Sequence, residues 1–413
     1  MKLLLVIVIL GLFALVGSQL SYFNRRVSIG FRNIVLTGIE YIFAGILLGG
    51  LGLNILDSES VFSLQPLLTF GMCWVGSLLG LQLNFRELKK MARHYFTITT
   101  ITTLTVFITV TAALVSIIGL VTRTPVREKW LIALVLAAIS CNTAQSALAI
   151  LSKNYRFKDY HIIKLLRYMS GVDGIFAILL FSLAIALFPP QSFTGAGSGV
   201  DWAGMAKTFA LSLGIGLLAG LVLYFLARCR FTHNEFILYL VGVTLFFGGL
   251  STTANLSPLF TGLLCGTFFA NICQKRMQAL SVVIQSEKAI YIIMLLLLGA
   301  IWNFSLDGVF PLALGYLFFR TLGKNAGAFL GSRLFPHAAR VPPWLGMGLL
   351  SEGGLSIVLV LNFKLLYPVL SDPVVSILVF SAILNELISP SLIMSLFSKT
   401  DCEIRKRRIS RPG

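Results

Sequence analysis

Asp173 lies in the stretch Arg167-Tyr-Met-Ser-Gly-Val-Asp-Gly-Ile-Phe-Ala-Ile-Leu-Leu-Phe-Ser-Leu183, at the head of a run that is apolar from Ile175 to Phe188 except for Ser182. A carboxylate at that depth costs several kcal/mol unless water, a partner charge or a proton relieves it, so it is a functional candidate. Ser170, Gly171 and Gly174 are small enough to leave room for water or an ion beside it. Two other apolar stretches carry polar or helix-breaking residues. One is Ala137-Ala-Ile-Ser-Cys-Asn-Thr-Ala-Gln-Ser-Ala147, in which Asn142, Thr143 and Gln145 prefer to bond local backbone. The other is Gly348-Leu-Leu-Ser-Glu-Gly-Gly-Leu-Ser356, where Ser351, Glu352, Gly353 and Gly354 stand together and each glycine costs about 1 kcal/mol against helix. Unwound turns in a membrane survive only where protein or a cavity covers them. They expose helix ends that attract ions and require compensating charge.

The compensating charge is expected from Leu317-Phe-Phe-Arg-Thr-Leu-Gly-Lys-Asn-Ala-Gly-Ala328. Arg320 and Lys324 are four residues apart and share one helix face. They can balance helix C-termini or pair with Asp173. Alternatively, one or both reach toward the interface, Lys324 more readily because it is closer to Arg333. Glu40, Glu287 beside Lys288, and Glu386 in Leu384-Asn-Glu-Leu-Ile-Ser-Pro390 are weaker candidates that also suit structural roles. His94, His161, His233 and His337 are too far apart for a ligand motif and read as loop residues. The six cysteines have no paired spacing, which points away from a disulfide framework or a metal site.

The elements that must hold these residues are membrane spans. The chain has 413 residues, of which 57% are hydrophobic and only 12% charged, and its mean hydropathy is +0.89. Soluble domains carry about twice that charge, so the composition is that of a polytopic membrane protein. Thirteen spans are expected, at about 2–21, 33–56, 63–83, 95–121, 130–152, 163–188, 205–227, 235–254, 256–273, 283–301, 309–332, 344–366 and 374–397. The net charge of +17 needs no nucleic acid, because most Lys and Arg fall on alternate loops and the tail, as in Arg25-Arg26, Lys89-Lys90, Lys275-Arg276 and Arg405 to Arg408. Arg123, Arg127 and Lys129 break that pattern. The N-terminus is therefore expected outside and the C-terminus in the cytoplasm, in a cell membrane. Residues 1–23 resemble a secretory signal, but cleaving them would invert every later loop, so a retained helix is expected. Pro189 to Gly204 reads as a flexible connector.

Six spans lie on each side of span 7, which places the halves in opposite orientations, and the two weak helices are the fifth span of each half. Paired interruptions at equivalent positions point to the binding site of an inverted-repeat transporter.

These pieces resemble the monovalent cation:proton antiporter superfamily, in its bacterial, potassium-efflux-like branch, over nearly the whole chain after span 1. Gly45-Ile-Leu-Leu-Gly-Gly-Leu-Gly-Leu-Asn-Ile-Leu56 is similar to the family's G-I-L-L-G-P-x-G-L-x-x-L segment, with Gly50 in place of the proline. Val75 to Leu88 is similar to its F-x-x-G-L-x-L helix end. Ile139-Ser-Cys-Asn-Thr143 resembles its S-x-T-S-P turn, without the proline, and Val172-Asp173 stands where the family has Asn-Asp or Asp-Asp. Arg320 falls at the family's buried cation, Ser351 to Gly354 resembles the second turn, and Asn385-Glu-Leu-Ile-Ser-Pro390 resembles T-E-L-x-x-P, giving Glu386 and Pro390 as structural positions.

The resemblance implies an all-α fold of 6+6 inverted repeats with two broken, crossing helices. It implies a dimer-forming scaffold (1–90 and 235–305), a mobile core (91–190 and 306–398), a linker helix (191–234) and a basic tail (399–413). It also implies a homodimer in lipid that exchanges Na+ or K+ for H+ without a cofactor and is not an enzyme. Asp173, Thr143 and Asn142 would bind the cation or proton, with Arg320 and Lys324 as charge compensation. Val172 removes one acidic or amide ligand, so one proton per cation is the simplest stoichiometry, unless Glu352 supplies the missing charge. The competing readings are a sodium-coupled symporter of an organic anion and a membrane-embedded enzyme using Asp173 with Glu352.

Overall fold

The computed structural model describes residues 2–23, 38–90, 93–121, 124–144, 160–190, 202–228, 233–302, 309–334, 342 and 344–409. Over these residues the chain is all-helical, with one isolated bridge between Gly49 and Leu56. Thirteen helices have seven residues or more, and they follow the expected spans in order. The first half comprises α1 (Lys2–Phe23), α2 (Ile39–Leu48), a short α3 (Ser58–Ser63), α4 (Gln65–Gln82), a short α5 (Phe85–Lys90), α6 (Arg93–Val121), α7 (Val126–Cys141) and α8 (Tyr160–Leu187). After α9 (Trp202–Arg228) come α10 (His233–Thr253), α11 (Pro258–Ile272), α12 (Arg276–Ile301) and α13 (Val309–Leu334). A 3-10 turn (Leu345–Leu349), α14 (Gly354–Leu366) and α15 (Ser371–Ile409) complete the order. Among the described residues, six helices are long and apolar enough by themselves to cross a membrane.

Several boundaries differ from the sequence expectation for identifiable reasons. The apolar run to residue 56 is not one helix: α2 stops at Leu48, where Gly49, Gly50 and Gly52 lower helix propensity and Asn54 takes φ 51°. The span expected at 283–301 starts earlier, at Arg276, so Glu287 and Lys288 sit mid-helix instead of at its entrance. Helical backbone also continues from Ser371 to Ile409, through most of the segment expected as a tail. Residues 191–201 of the expected connector, and the side chains of His161, His233 and His337, lie outside the described residues.

The helices pack as two groups. α4 and α11 share the most extensive contact, and α10 and α9 join them. The approach of α4 and α11 is close enough that a Cβ at Gly262 would fall 2.0 Å from the Cys73 carbonyl, so only glycine fits there. α12 links this group to α2 and α1, with Val6, Leu10 and Ala14 of α1 buried, and Lys288 donates to the Gly17 carbonyl at 2.7 Å. In the second group α6 packs along α13 and against α7 and α8, while α15 contacts α13, α14 and the 3-10 turn.

Candidate functional site

α7 stops at Cys141, and Asn142 to Ala144 follow in non-helical backbone. Residues 145–150, including Gln145, lie outside the described residues. On the other side, the 3-10 turn ends at Leu349 and α14 begins at Gly354, which leaves Leu350 to Gly353 unwound. The breaks expected within spans 130–152 and 344–366 are therefore found, where polar residues and glycine replace helix formers. The two breaks meet directly: the Ala144 N–H donates to the Ser351 carbonyl at 2.9 Å. Glycine permits that approach, since a Cβ on Gly353 would fall 3.1 Å from Ala144 Cα. Asn142 adds a side-chain tie, its Nδ2 donating to Ser356 Oγ at 3.1 Å.

Asp173, on α8, is 0% exposed beside the first break. Its Oδ2 accepts from Thr143 Oγ1 at 2.9 Å and from Lys324 Nζ at 3.1 Å. Its Oδ1 accepts from Thr103 Oγ1, on α6, at 2.6 Å. Lys324 Nζ also lies 2.9 Å from Thr143 Oγ1 and 2.5 Å from the Cys141 carbonyl. Its ammonium therefore stands among oxygens from a carboxylate, a hydroxyl and a helix C-terminus. Both threonine hydroxyls have a second acceptor, Thr99 O for Thr103 at 2.9 Å and Leu349 O for Thr143 at 3.4 Å. Each has one proton, so each can turn between backbone and carboxylate.

Arg320 binds the breaks. Its Nε, Nη2 and Nη1 donate to the carbonyls of Ser140 (3.2 Å), Asn142 (2.9 Å) and Leu350 (2.5 Å). Helix C-termini carry partial negative charge, and a planar guanidinium matches such a set of acceptors. Arg320 Nε also lies 3.3 Å from Glu352 Oε1, and the carboxylate accepts from Tyr316 Oη at 3.0 Å and Ser381 Oγ at 3.2 Å.

Several sequence-based expectations are corrected by this geometry. Lys324 does not reach toward the interface: it is 0% exposed, because α13 carries it against α6 and the first break. Lys324, not Arg320, pairs with Asp173. Gly174 leaves no open space, since a Cβ there would lie 3.1 Å from Leu355 Cδ2 and 3.7 Å from Asn142 Oδ1. The hydroxyl of Ser170 is spent on the Arg167 carbonyl. The Asn142 carbonyl accepts from Arg320 and its side chain reaches Ser356 on α14, so neither bond runs to Asp173. Glu386 and Pro390 fall on α15, and their side chains lie outside the described residues. Sequence reasoning missed Thr103, Tyr316, Ser356 and Ser381. The run of threonines at 97, 99, 100, 102, 103 and 105 was the available signal for the first. No group of three or more His, Cys, Asp or Glu side chains among the described residues is placed to hold a metal.

Two helix breaks that meet inside a helical bundle, with buried charges beside them, are the pattern of an inverted-repeat membrane transporter. The sequence profile of "Sodium/hydrogen exchanger, transmembrane" matches residues 35–399, and the chain belongs to that family of cation:proton antiporters. The fold is similar to that of the sodium proton antiporter MjNhaP1 from Methanocaldococcus jannaschii at pH 8. That match has a TM-score of 0.67 and 17% identity, over 96% of this chain and 100% of the other. An electron-microscopy structure of the same antiporter gives a TM-score of 0.64 at 16% identity, covering 97% and 98% of the respective chains. No curated protein matches by sequence.

Proposed function

We propose that the chain exchanges Na+ or K+ for protons by alternating access, and that Asp173 is the carboxylate for which the two ions compete. The observation that carries this reading is the position of the Lys324 ammonium, at 3.1 Å from Asp173 Oδ2 and within reach of Thr143 and the Cys141 carbonyl. A monovalent cation tethered to the protein fills a set of oxygens that suits a free one. An entering cation displaces Lys324 and takes the same oxygens, Asp173 Oδ2, Thr143 Oγ1 and the Cys141 carbonyl. A proton neutralises the carboxylate instead, so the site holds one ion or the other. With Val172 beside Asp173, one proton per cation remains the simplest stoichiometry, since Glu352 is already neutralised by Arg320.

In this reading α6–α8 and α13–α15 form the core that moves, and α1, α2, α4 and α10–α12 form the scaffold of a homodimer, with α9 between them. The N-terminus faces outward and the C-terminus the cytoplasm of a cell membrane. The symport alternative loses support because the guanidinium expected to hold an organic anion is engaged by Ser140, Asn142, Leu350 and Glu352. The membrane-enzyme alternative loses support because its proposed acids each have a basic partner. The test is Asp173→Asn in everted vesicles: cation-driven proton movement should vanish, and persistence at the wild-type rate refutes the assignment.

A further inference from the structure

Asn362 has no place in the exchange chemistry, yet it is a polar side chain within the otherwise largely apolar helix α14 and is 0% exposed. Its Nδ2 donates to Ser257 Oγ at 2.6 Å, across from the second helix group to the N-terminus of α11. Its Oδ1 is buried with no hydrogen-bond partner among the described residues. Leaving a buried acceptor unmatched is costly. Ser257 does not depend on this contact, because it is the N-cap of α11 and accepts from the Phe260 N–H at 3.2 Å. A second bond of the same kind joins Trp302, at the C-terminal end of α12, to Ser376 near the start of α15, Nε1 to Oγ at 2.9 Å. Both bonds lie at the end where α14 finishes and α15 begins, the end expected to face outward.

We infer that Ser257–Asn362 and Trp302–Ser376 form a releasable latch that closes the outer end between the two helix groups. The inference rests on the alternating-access reading proposed above. An apolar residue at 362 would bury more favourably and hold the contact shut. Asparagine makes the closed state less favourable, because separation from α11 lets water reach the unmatched Oδ1 and Nδ2 together. Ser257 keeps its cap on α11 in either state, so opening leaves the scaffold helix intact. The latch thus sets how readily the site turns outward, without touching the ion.

The test uses full-length protein in proteoliposomes. Asn362→Leu should raise the thermal midpoint and lower maximal exchange about tenfold, equivalent to a barrier higher by about 1.4 kcal/mol, with the cation KM unchanged. A role confined to folding would instead lower the midpoint and leave turnover alone, and that result overturns the proposal. In the pair Ser257→Cys with Asn362→Cys, a short bifunctional thiol reagent should stop exchange, while the wild type treated alike continues. Full exchange by the cross-linked protein also overturns it. Failure of the antiport reading would register separately, as undiminished exchange by Asp173→Asn.

Discussion

Asp173 with Lys324 and Glu352 with Arg320 are both buried acid–base pairs attached to a helix break, but their surroundings differ in kind. Asp173 is held by two threonine hydroxyls, each with an alternative backbone acceptor, and by an ammonium on a flexible stem. Glu352 is held by a guanidinium that is itself fixed to the carbonyls of Ser140, Asn142 and Leu350. Arginine does not lose its proton in proteins, and a fork bound at several points cannot leave without exposing helix C-termini. Lysine is a compact charge that can withdraw. On the proposed reading, a buried acid serves as an exchange site through a partner able to leave, whereas an immobile partner makes the same acid a structural clamp.

Breaking either pair tests that division. The largest effect belongs to Asp173→Asn, for which exchange should fall by about 100-fold or more, since no other acid there is free of a fixed partner. Proton flux in vesicles reads it directly. Lys324→Met leaves Asp173 buried and uncompensated, so the cation-free protein should lose about 3–5 kcal/mol. Saturating Na+ or K+ should recover much of that loss by binding the native state, and thermal melts with and without cation measure it. Glu352→Gln should destabilise by about 3 kcal/mol while exchange stays within a factor of about ten, because Arg320 keeps its carbonyls. Denaturation curves beside flux assays separate the two quantities. Thr103→Val should be the mildest, costing about 1.5 kcal/mol for one hydrogen bond to a charge, with Thr103→Ser restoring stability in the same melts.

Much of this arrangement was legible in the amino-acid sequence. Thirteen helices follow from apolar run length, and the breaks at Asn142 and Gly353 follow from residues that weaken helices in otherwise unbroken runs. The placement of a basic pair on α13 followed from the spacing of Arg320 and Lys324. What was not legible is which base meets which acid. Both basic side chains are long and lie on one helix face, so the choice depends on α13 packing along α6 and on the crossing of the breaks. Thr103 was hidden because a threonine inside a membrane helix normally satisfies itself on its own backbone, as Thr99, Thr102 and Thr105 do in α6. Only the approach of α8 gives Thr103 a second acceptor. The end of α2 at Leu48 was obscured by hydropathy, which reads Leu51, Leu53 and Ile55 as a continuing span although glycines have already stopped the helix.

The central claim is that Asp173, and not Glu352, is the exchange carboxylate. Cation-driven proton flux in proteoliposomes containing equal amounts of folded Asp173→Asn or Glu352→Gln protein tests it most directly. The prediction is no flux above empty liposomes for Asp173→Asn and clear flux for Glu352→Gln. Wild-type flux from Asp173→Asn would contradict the account.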